Sequence, residues 1–367
     1  MKNYAFIIER FNERGGTERV TAAVMNGLAR RGYSIKMAEI FKTFKTPFPL
    51  DSHIKQVTLL PEKCHTIFPG GVKNNIKEFL RISWKIFDFL KKEKIDVIIF
   101  SSTQHALYGA IPAKICGVPI ISWEHFNSRV ITDFWPLQTG RRVSARWADH
   151  IITLTKQDKF YWESDFHLKA KVTVVPNIVS EFSESEYENR EKVVISAGRL
   201  VHQKGFDLLL RSWKIVSSNE PTKDWKLVIH GNGQLEQDLK NLIHDEDIKN
   251  VEIKHEVQDI EQEYKKSSIF VCSSRFEGFS IVVAEAGSAK LPTVSFDCSS
   301  GPSEIIEDGK TGILVKPGDI HSMADAILDL INNPEKRKSM AELARERVEL
   351  FYEENIIDKW EALLNDV

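Results

Sequence analysis

The sequence lacks any apolar run approaching the roughly 18 residues that a membrane-spanning helix needs. It has only four cysteines, and these show no metal-ligand spacing, so we interpret them as reduced thiols and expect no metal site. No signal peptide opens the chain, which predicts a cytoplasmic protein. The 42% hydrophobic content is ordinary for globular domains, and 367 residues are enough for two of them.

A net charge of −2 conceals a division between the two halves of the chain. Residues 1–177 carry 27 Lys and Arg against 16 Asp and Glu, whereas residues 178–367 carry 23 against 36. The basic half favours an anionic membrane surface or a phosphate-bearing acceptor as its partner. A drift of surface charge between domains would give the same division. Nucleic acid is not expected, because the basic residues are not interleaved with aromatics on one short module.

Short apolar runs alternate with helical patterns, which predicts parallel sheets built from β–α–β units. The strands predicted in the first half are 4–8, 34–40, 97–100, 120–123, 151–154 and 172–175. Those predicted in the second half are 193–196, 226–230, 251–254, 269–273, 293–296 and 312–315. A polar stretch without apolar periodicity, 183–191, is predicted to link the two series.

Two glutamates eight positions apart, Glu277 and Glu285, follow the strand 269–273 at the start of a predicted helix. A helix N-terminus favours an anion such as phosphate, because its first N–H groups are unpaired and its dipole is positive there. Glu285 lies one to two turns into that helix, where its carboxylate is placed to accept hydrogen bonds from a diol. For Glu277 the simpler alternative is a carboxylate that only complements the helix dipole.

A second charged motif, Arg199 with Lys204, follows the buried strand 193–196 and is bracketed by Gly198 and Gly205. A guanidinium and an ammonium on a loop at the carboxyl end of a strand suit a diphosphate. The alternative for Arg199 is a surface ion pair.

Four motifs in order resemble those of glycosyltransferase family 4. They are Gly15-Gly16-Thr17-Glu18, Gly198-Arg199-Leu200, Gln203-Lys204-Gly205, and Glu277-Gly278-Phe279-Ser280 with the second Glu eight residues on. The resemblance spans essentially the whole chain and implies an α/β fold of two Rossmann-like domains facing across a cleft, the GT-B architecture. The implied domains are an N-terminal acceptor-side domain, 1–180, and a nucleotide-sugar donor domain, 190–351. A C-terminal helix, about 352–367, is expected to cross back onto the first domain.

The resemblance also implies roles for individual residues. Arg199 and Lys204 would neutralise the diphosphate, Glu277 would contact the donor sugar, and Glu285 would bind the ribose. The implied catalytic set is Glu277, His125, Arg199 and Lys204. The implied donor and nucleotide contacts are Gly15, Gly16, Arg199, Lys204, Gly278, Phe279, Ser280 and Glu285.

Four residues of the first half keep alternatives. Gly15 and Gly16 either bring the backbone against the diphosphate or form a plain β–α turn. His125, after the strand 120–123, matches a family histidine that contacts the donor sugar, but the chain has 11 histidines and a structural role is the alternative. Glu124 departs from the commoner local pattern, and it either orients His125 or contacts the acceptor.

The implied reaction moves a hexose-type sugar from a nucleotide diphosphate-sugar, with UDP the expected nucleotide, to a glycan or lipid-linked acceptor. It retains configuration and forms an α-glycosidic bond, and an oxygen of the leaving phosphate takes the acceptor's proton, so we assign no protein nucleophile and expect no metal or other cofactor. The expected context is bacterial surface polysaccharide or lipopolysaccharide biosynthesis at the inner face of the plasma membrane. The alternatives are a non-catalytic partner subunit of this architecture and a UDP-sugar epimerase on the same fold.

Two segments of the basic half are candidates for peripheral membrane contact. The segment 72–94 is amphipathic and basic, and we expect it to pack on the core with a basic rim toward lipid. Its predicted core side is Ile76, Phe79, Leu80, Ser83, Phe87 and Leu90. The segment 41–48 has no periodicity and is expected to expose aromatics among lysines, which makes it the better candidate.

Overall fold

The structure is a computed structural model that describes residues 2–11, 15–42, 48–60, 72–130, 135–183, 186–188, 190–255, 257 and 259–367. For residues 72–75 and 221 it describes the backbone alone. The chain divides into two compact units, Met1–Ile178 with Glu353–Val367, and Val179–Tyr352. Among the described residues, no helix is both long enough and apolar enough to cross a membrane.

The first unit is built on a seven-stranded sheet with all strands parallel, in the order β3-β2-β1-β4-β5-β6-β7. Its strands are β1 (Asn3–Ile8), β2 (Ser34–Phe41), β3 (Lys55–Leu60), β4 (Val97–Phe100), β5 (Ile120–Trp123), β6 (His150–Thr153) and β7 (Lys171–Val174). Its helices up to β7 are α1 (Gly16–Arg30), α2 (Val72–Lys92), α3 (Ala106–Cys116), α4 (Trp135–Trp147) and α5 (Lys156–Asp165). The four central strands, β1, β4, β5 and β6, are almost wholly buried, as expected for a parallel sheet covered by helices.

The second unit repeats this arrangement with a six-stranded parallel sheet in the order β10-β9-β8-β11-β12-β13. Its strands are β8 (Val193–Ala197), β9 (Lys226–His230), β10 (Val251–Lys254), β11 (Ile269–Cys272), β12 (Thr293–Phe296) and β13 (Gly312–Val315). Its helices are α6 (Phe206–Ser217), α7 (Glu236–Asp245), α8 (Ile260–Lys266), α9 (Ile281–Ser288), α10 (Pro302–Ile305), α11 (Ile320–Asn332) and α12 (Pro334–Val348).

The last helix, α13 (Glu353–Asn365), packs on the first unit. The ring of Trp360 lies 4.8 Å from that of Trp123 and 6.0 Å from that of Phe6, centroid to centroid. Arg31, after α1, pairs with Asp358 and Glu361 of α13. An apolar face and a charged rim thus hold this helix against α1 and the sheet.

Every predicted strand is present within one residue at each end, but β3 was missed. This strand pairs with β2 at the edge of the sheet, and its first two residues are exposed. An edge strand that is half solvated has neither the continuous apolar run nor the clean alternation by which the other strands were predicted.

The predicted core side of α2 was partly wrong. The helix buries Ile82, Ile86, Phe89 and Leu90 in the core of the first unit. Three apolar side chains at four-residue intervals, Ile76, Leu80 and Trp84, are instead 56%, 61% and 59% exposed. The sequence pattern is apolar over more than half of the helix circumference, so it did not indicate which part faces the sheet.

The expectation that the segment 41–48 exposes its aromatics was wrong at its first residue. Phe41 is the buried last residue of β2. The ring of Phe48 lies 6.3 Å from that of Phe11, so this aromatic packs on its own unit. Residues 43–47, with the aromatic Phe44, lie outside the described residues.

Candidate functional site

The charged loops of the second unit meet where its strand order reverses. From β8 the chain moves outward through β9 and β10, and from β11 it moves the other way through β12 and β13. β8 and β11 are therefore neighbours whose following loops leave in opposite directions. In open α/β sheets, ligands bind outside the carboxyl ends of the strands at this point.

Two glycines make room within the site, Gly205 for the loop after β11 and Gly198 for the Lys204 side chain. Gly205 has φ +62°, and a Cβ there would lie 2.1 Å from the carbonyl oxygen of Ser273. Gly198 has φ +156°, and a Cβ there would lie 3.3 Å from Cε of Lys204. Glycine at both positions leaves room for the opposite backbone and for the lysine stem.

Lys204 and Glu277, predicted independently from the two motifs, form an ion pair. Nζ of Lys204 lies 2.7 Å from Oε1 of Glu277, and the same oxygen accepts a hydrogen bond of 2.6 Å from the Ser274 hydroxyl. Both side chains are largely buried. Burial lowers the pKa of Lys204, but the charge of Glu277 and the hydrogen bond to it more than offset burial, so the net shift is upward. Lys204 therefore carries its full charge at neutral pH.

A second pair between the same loops was missed by the sequence analysis. Arg275 donates to both carboxylate oxygens of Asp207 at 2.8 and 2.7 Å, and also to the carbonyl of His202. The hydrogen bond and charge of Arg275 lower the pKa of Asp207, although its burial acts in the opposite direction. Asp207 lies two residues after Gly205, and the spacing alone offered no sign that Arg275 is its partner.

Backbone contacts reinforce this connection. The N–H of Arg275 donates to the carbonyl of Gln203 at 2.8 Å, and the Gln203 amide donates to the carbonyl of Phe276 at 3.1 Å. The Ser273 hydroxyl donates to the carbonyl of Lys204 at 2.9 Å. Lys204 and Glu277 are thus carried on two loops that are bonded to each other on both sides of the pair.

Glu285 lies on α9, which begins directly after Ser280 and ends at Ser288. The Glu285 side chain is buried, and Ser280 has a left-handed backbone with φ +67°. Gly278 accepts a hydrogen bond from the Ser300 hydroxyl through its carbonyl, and Phe279 is buried against the ring of Phe351 at 5.1 Å. The segment 277–280 is therefore held between α9 and the loop after β12.

Arg199 lies on the same loop as Lys204, and its side chain is exposed. It makes no ion pair with any residue that the structure describes, so the surface-pair alternative receives no support. Its charge lowers the pKa of Lys204, which places the two cations within electrostatic reach of each other. The site thus combines an exposed guanidinium with a buried, paired ammonium.

In the first unit, Gly15 precedes α1 with extended backbone, and Gly16 is the first residue of that helix. The strand order of this sheet reverses between β1 and β4, so these glycines follow a strand at the reversal, as the loop after β8 does in the second unit. Residues 12–14, which precede them, lie outside the described residues.

His125 follows β5 and packs against Trp123, with ring centroids 4.4 Å apart and ring planes tilted by 39°. Burial lowers the pKa of His125 to about 3, and the neighbouring His105 adds to this, although a hydrogen bond to the backbone of Ser101 opposes it. His125 is therefore neutral at physiological pH. Its Nε2 is buried and has no hydrogen-bond partner among the described residues.

Glu124 is buried and pairs with Arg141, which is completely buried; Nε of the arginine lies 2.6 Å from Oε2 of the glutamate. Both carboxylate oxygens of Glu124 accept hydrogen bonds within the unit, Oε1 from the N–H of Phe126 and Oε2 from Nε of Arg141. Of the two predicted alternatives, these contacts favour orientation of the His125 loop over contact with an acceptor.

Another buried carboxyl, that of Asp158 on α5, accepts hydrogen bonds of 2.7 Å from both the backbone N–H and the hydroxyl of Ser128. Burial raises the pKa of Asp158 to about 7, and the charge of Glu124 adds to this, while Ser128 and Arg141 oppose it. The folded protein therefore keeps a proton on this carboxyl at pH values where an unfolded Asp, with a pKa of about 3.9, has lost it. The contribution of Asp158 to stability falls as the pH rises from about 4 to about 7.

We expect Asp158→Asn to gain stability relative to wild type as the pH rises. The amide keeps an oxygen for Ser128 but does not ionise. The free energy of unfolding of the variant minus that of wild type should increase by about 2 kcal/mol between pH 5 and pH 8, measured by denaturant titration. The control is Asp165→Asn on the same helix, because Arg129 lowers the pKa of Asp165 and its difference should stay level over this range. A level difference for Asp158→Asn as well would contradict the protonated carboxyl.

Comparison with known proteins agrees with this fold. A family model described as Glycosyltransferase Family 4 matches residues 14–181, and one described as Glycosyl transferases group 1 matches residues 179–347. An uncharacterised glycosyltransferase of Haemophilus influenzae is 30% identical over 99% of this chain and 100% of its own length. The Campylobacter jejuni GalNAc-α-(1→4)-GalNAc-α-(1→3)-diNAcBac-PP-undecaprenol α-1,4-N-acetyl-D-galactosaminyltransferase is 27% identical over 100% of this chain and 99% of its own.

Among solved structures, Anabaena HepE in complex with UDP has a TM-score of 0.78 at 17% identity, covering 100% of both chains. A Staphylococcus aureus TarM variant in complex with Fondaparinux, α-GlcNAc-glycerol and UDP has a TM-score of 0.80 at 16% identity, also over 100% of both. Two Rossmann-like α/β units of this kind define the GT-B class of fold, and the predicted fold class is confirmed. The chain belongs to glycosyltransferase family 4 and is a glycosyltransferase, as its motifs predicted.

Proposed function

We propose that this protein transfers a hexose-type sugar from a UDP-sugar to a glycan or lipid-linked acceptor, with retention of configuration and formation of an α-glycosidic bond. The observation that carries the proposal is the buried Lys204–Glu277 pair at the strand-order reversal, with exposed Arg199 beside it. A diphosphate needs cations, and a sugar needs carboxylate acceptors for its hydroxyls. The site offers both within one pair of loops.

In the proposed mechanism, charge develops on the leaving diphosphate as the bond to the sugar breaks. Lys204 and Arg199 stabilise that charge more strongly in the transition state than in the bound donor, which raises kcat. An oxygen of the leaving phosphate takes the proton of the acceptor hydroxyl on the same face of the sugar, so no protein nucleophile is required. Because the two side chains supply the positive charge, we propose that the reaction needs no metal ion or other cofactor.

The remaining assignments are proposals of the same kind. Glu277 contacts the donor sugar, and Glu285 contacts the ribose. The backbone of the segment 278–280, at the start of α9, contacts the phosphates. In the first unit, Gly15 and Gly16 would approach the diphosphate and His125 the donor sugar.

The proposal for acceptor and nucleotide draws on the relatives. The name of the C. jejuni protein gives it a lipid-linked glycan acceptor and an α linkage, and an Erwinia amylovora protein 26% identical over the whole of both chains is an amylovoran biosynthesis glycosyltransferase. The HepE and TarM structures hold UDP. We therefore propose a role in bacterial surface polysaccharide or glycolipid assembly in the cytoplasm, with UDP as the nucleotide.

The test is a transfer assay with a panel of UDP-sugars and polyprenyl-diphosphate-linked saccharides, with products resolved by mass spectrometry and the anomeric linkage by NMR. The expected product is an acceptor extended by one α-linked sugar, with release of UDP. An altered sugar formed from the donor alone would favour the epimerase alternative. Binding of donor without any turnover would favour the non-catalytic subunit.

We also propose that the first unit contacts an anionic membrane through α2. The stripe formed by Ile76, Leu80 and Trp84 is exposed, and α2 carries six Lys and Arg against two acidic residues. On the neighbouring helix α3, Ile111 and Ile115 are also exposed. Exposed apolar side chains among basic ones suit the boundary between anionic headgroups and acyl chains.

The double variant Leu80→Glu/Trp84→Glu should bind anionic vesicles at least about tenfold more weakly, because it removes apolar area and adds repulsion from the headgroups. The measurement is co-sedimentation with vesicles in which about 30% of the lipid is phosphatidylglycerol, which is anionic. The control is Phe160→Glu, which replaces an aromatic of similar exposure on α5 of the same unit. Equal binding by wild type and the double variant would contradict this contact.

A further inference from the structure

The loop after β5, residues 124–130, buries three of its polar side chains. Glu124, Asn127 and Ser128 have almost no exposed surface. Arg141, which reaches this loop from α4, has none. Burying a guanidinium and a carboxylate is costly, and an apolar pair of similar size is often at least as stable. The presence of charges here calls for a reason other than stability.

The reason lies in the backbone groups that this pair bonds. Oε1 of Glu124 accepts the N–H of Phe126 at 3.1 Å, while Oε2 accepts Nε of Arg141. The two terminal nitrogens of Arg141 donate to the carbonyls of Asn127, Ser128 and Val130 at 3.2, 2.9 and 3.2 Å. One glutamate and one arginine thus bond four backbone groups of a seven-residue loop.

Two further contacts complete the attachment. Asp158 accepts the N–H and the hydroxyl of Ser128 from the side of α5. The hydroxyl of Thr103, in the turn before α3, lies 3.4 Å from Oε2 of Glu124. The loop is therefore bonded to three neighbouring segments, in addition to its own turn contacts at Asn127.

Two side chains of this loop, His125 and Phe126, take no part in the hydrogen bonds that attach it to α4 and α5. His125 presents a neutral ring whose buried Nε2 has no partner among the described residues. Phe126 is an aromatic with 41% of its surface exposed. An imidazole donor or acceptor next to an exposed aromatic face is chemistry suited to a sugar, whose hydroxyls need hydrogen bonds and whose C–H faces pack on rings.

We propose that Glu124 and Arg141 are positioning residues: they fix the backbone of residues 124–130 and so hold His125 and Phe126 in place for the sugar that is transferred. The effect on catalysis rests on the proposed function, whereas the fixed position of the loop rests on the hydrogen bonds of Glu124 and Arg141. Small displacements of groups that contact a reacting sugar cost rate, because catalysis requires near-exact placement. Neither Glu124 nor Arg141 touches substrate in this proposal.

The test uses variants that separate folding from positioning. The double variant Glu124→Gln/Arg141→Met removes both buried charges together, which avoids leaving one of them unpaired. Glu124→Asp keeps the carboxylate and serves as the conservative variant. The control is Glu39→Gln, which alters another buried glutamate of the same unit that accepts a hydrogen bond of 2.6 Å from Thr58.

Two readouts are taken on the full chain. Amide hydrogen exchange over residues 124–130 should become at least about tenfold faster in the double variant and stay unchanged in Glu39→Gln. In the transfer assay, kcat of the double variant should fall by about 100-fold, while its Kd for UDP stays within about twofold of wild type. Glu124→Asp should recover part of the lost kcat.

Unchanged exchange in the double variant would overturn the inference, whatever the transfer assay shows. Faster exchange in the double variant together with a wild-type kcat would overturn it too, since the loop would then have loosened without any effect on the reaction. A wild-type chain that transfers no sugar would contradict the proposed function instead, and the exchange measurement alone would then decide whether the pair fixes the loop.

Discussion

Replacement of Lys204 by methionine is expected to lower kcat/KM for sugar transfer by about 100- to 1,000-fold. The ammonium is buried, its pKa is raised by Glu277, and it lies on a loop bonded to the loop that carries Glu277. A charge held in place before the reaction stabilises the leaving diphosphate without reorganisation. Methionine keeps the length of the stem that passes Gly198 but removes the charge.

This substitution also leaves Glu277 buried beside Ser274 without its cation, which destabilises the fold. The double variant Lys204→Met/Glu277→Gln removes that unpaired charge, so its thermal stability should return toward wild type while its activity stays low. Lys240→Met, at an exposed lysine on α7 of the same unit, is the control and should retain full activity. Wild-type kcat/KM in a folded Lys204→Met protein would remove Lys204 from the proposed mechanism.

The second large effect is expected from Gly205→Ala. The added Cβ would lie 2.1 Å from the carbonyl oxygen of Ser273, and the backbone at φ +62° is unfavourable for alanine. Because the clash is with backbone, the loops that carry Lys204 and Glu277 must separate. A displacement of about 1 Å between reacting groups costs about 100-fold in rate, and overpacking with strain costs about 2–4 kcal/mol of stability.

Gly309→Ala separates the clash from the strain. Gly309 has φ +74° but no atom within 4 Å of an added Cβ. This variant should lose only about 1 kcal/mol of stability and none of its transfer activity. The stability of each variant is measured by thermal unfolding, and its transfer activity by initial rates at saturating donor. If Gly205→Ala and Gly309→Ala behaved alike, close approach of the two loops would not be what the site requires.

Much of the architecture could be predicted because buried parallel strands are continuous apolar runs. Val97–Phe100 is such a run, and its bounds were predicted to the residue. Edge strand β3 is half exposed and was missed. The exposed side of α2 was misassigned because apolar residues occupy more than one of its faces, and only the sheet beneath it determines which face is buried.

The candidate site divides in the same way. Lys204 and Glu277 were predicted because each belongs to a local motif with glycines at fixed offsets. Asp207 and Arg275, which form the second pair between the same loops, are 68 positions apart in sequence, and Glu124 and Arg141 are 17 apart, so no local pattern indicated these pairs. Ion pairs between distant positions depend on which strands are neighbours in the sheet, and the order of strands in the sheet cannot be deduced from a single sequence.

The most direct test of the donor site is calorimetric titration of UDP, GDP and ADP into wild type, Glu285→Ala and Glu346→Ala, the last at an exposed glutamate of the same unit. We expect UDP to bind wild type and Glu346→Ala equally. We expect Glu285→Ala to weaken UDP binding about tenfold or more, a loss of about 1.4 kcal/mol, because the ribose loses the carboxylate that binds it. Failure of all three nucleotides to bind wild type would contradict the donor site, and UDP binding that is unchanged in Glu285→Ala would contradict the ribose contact.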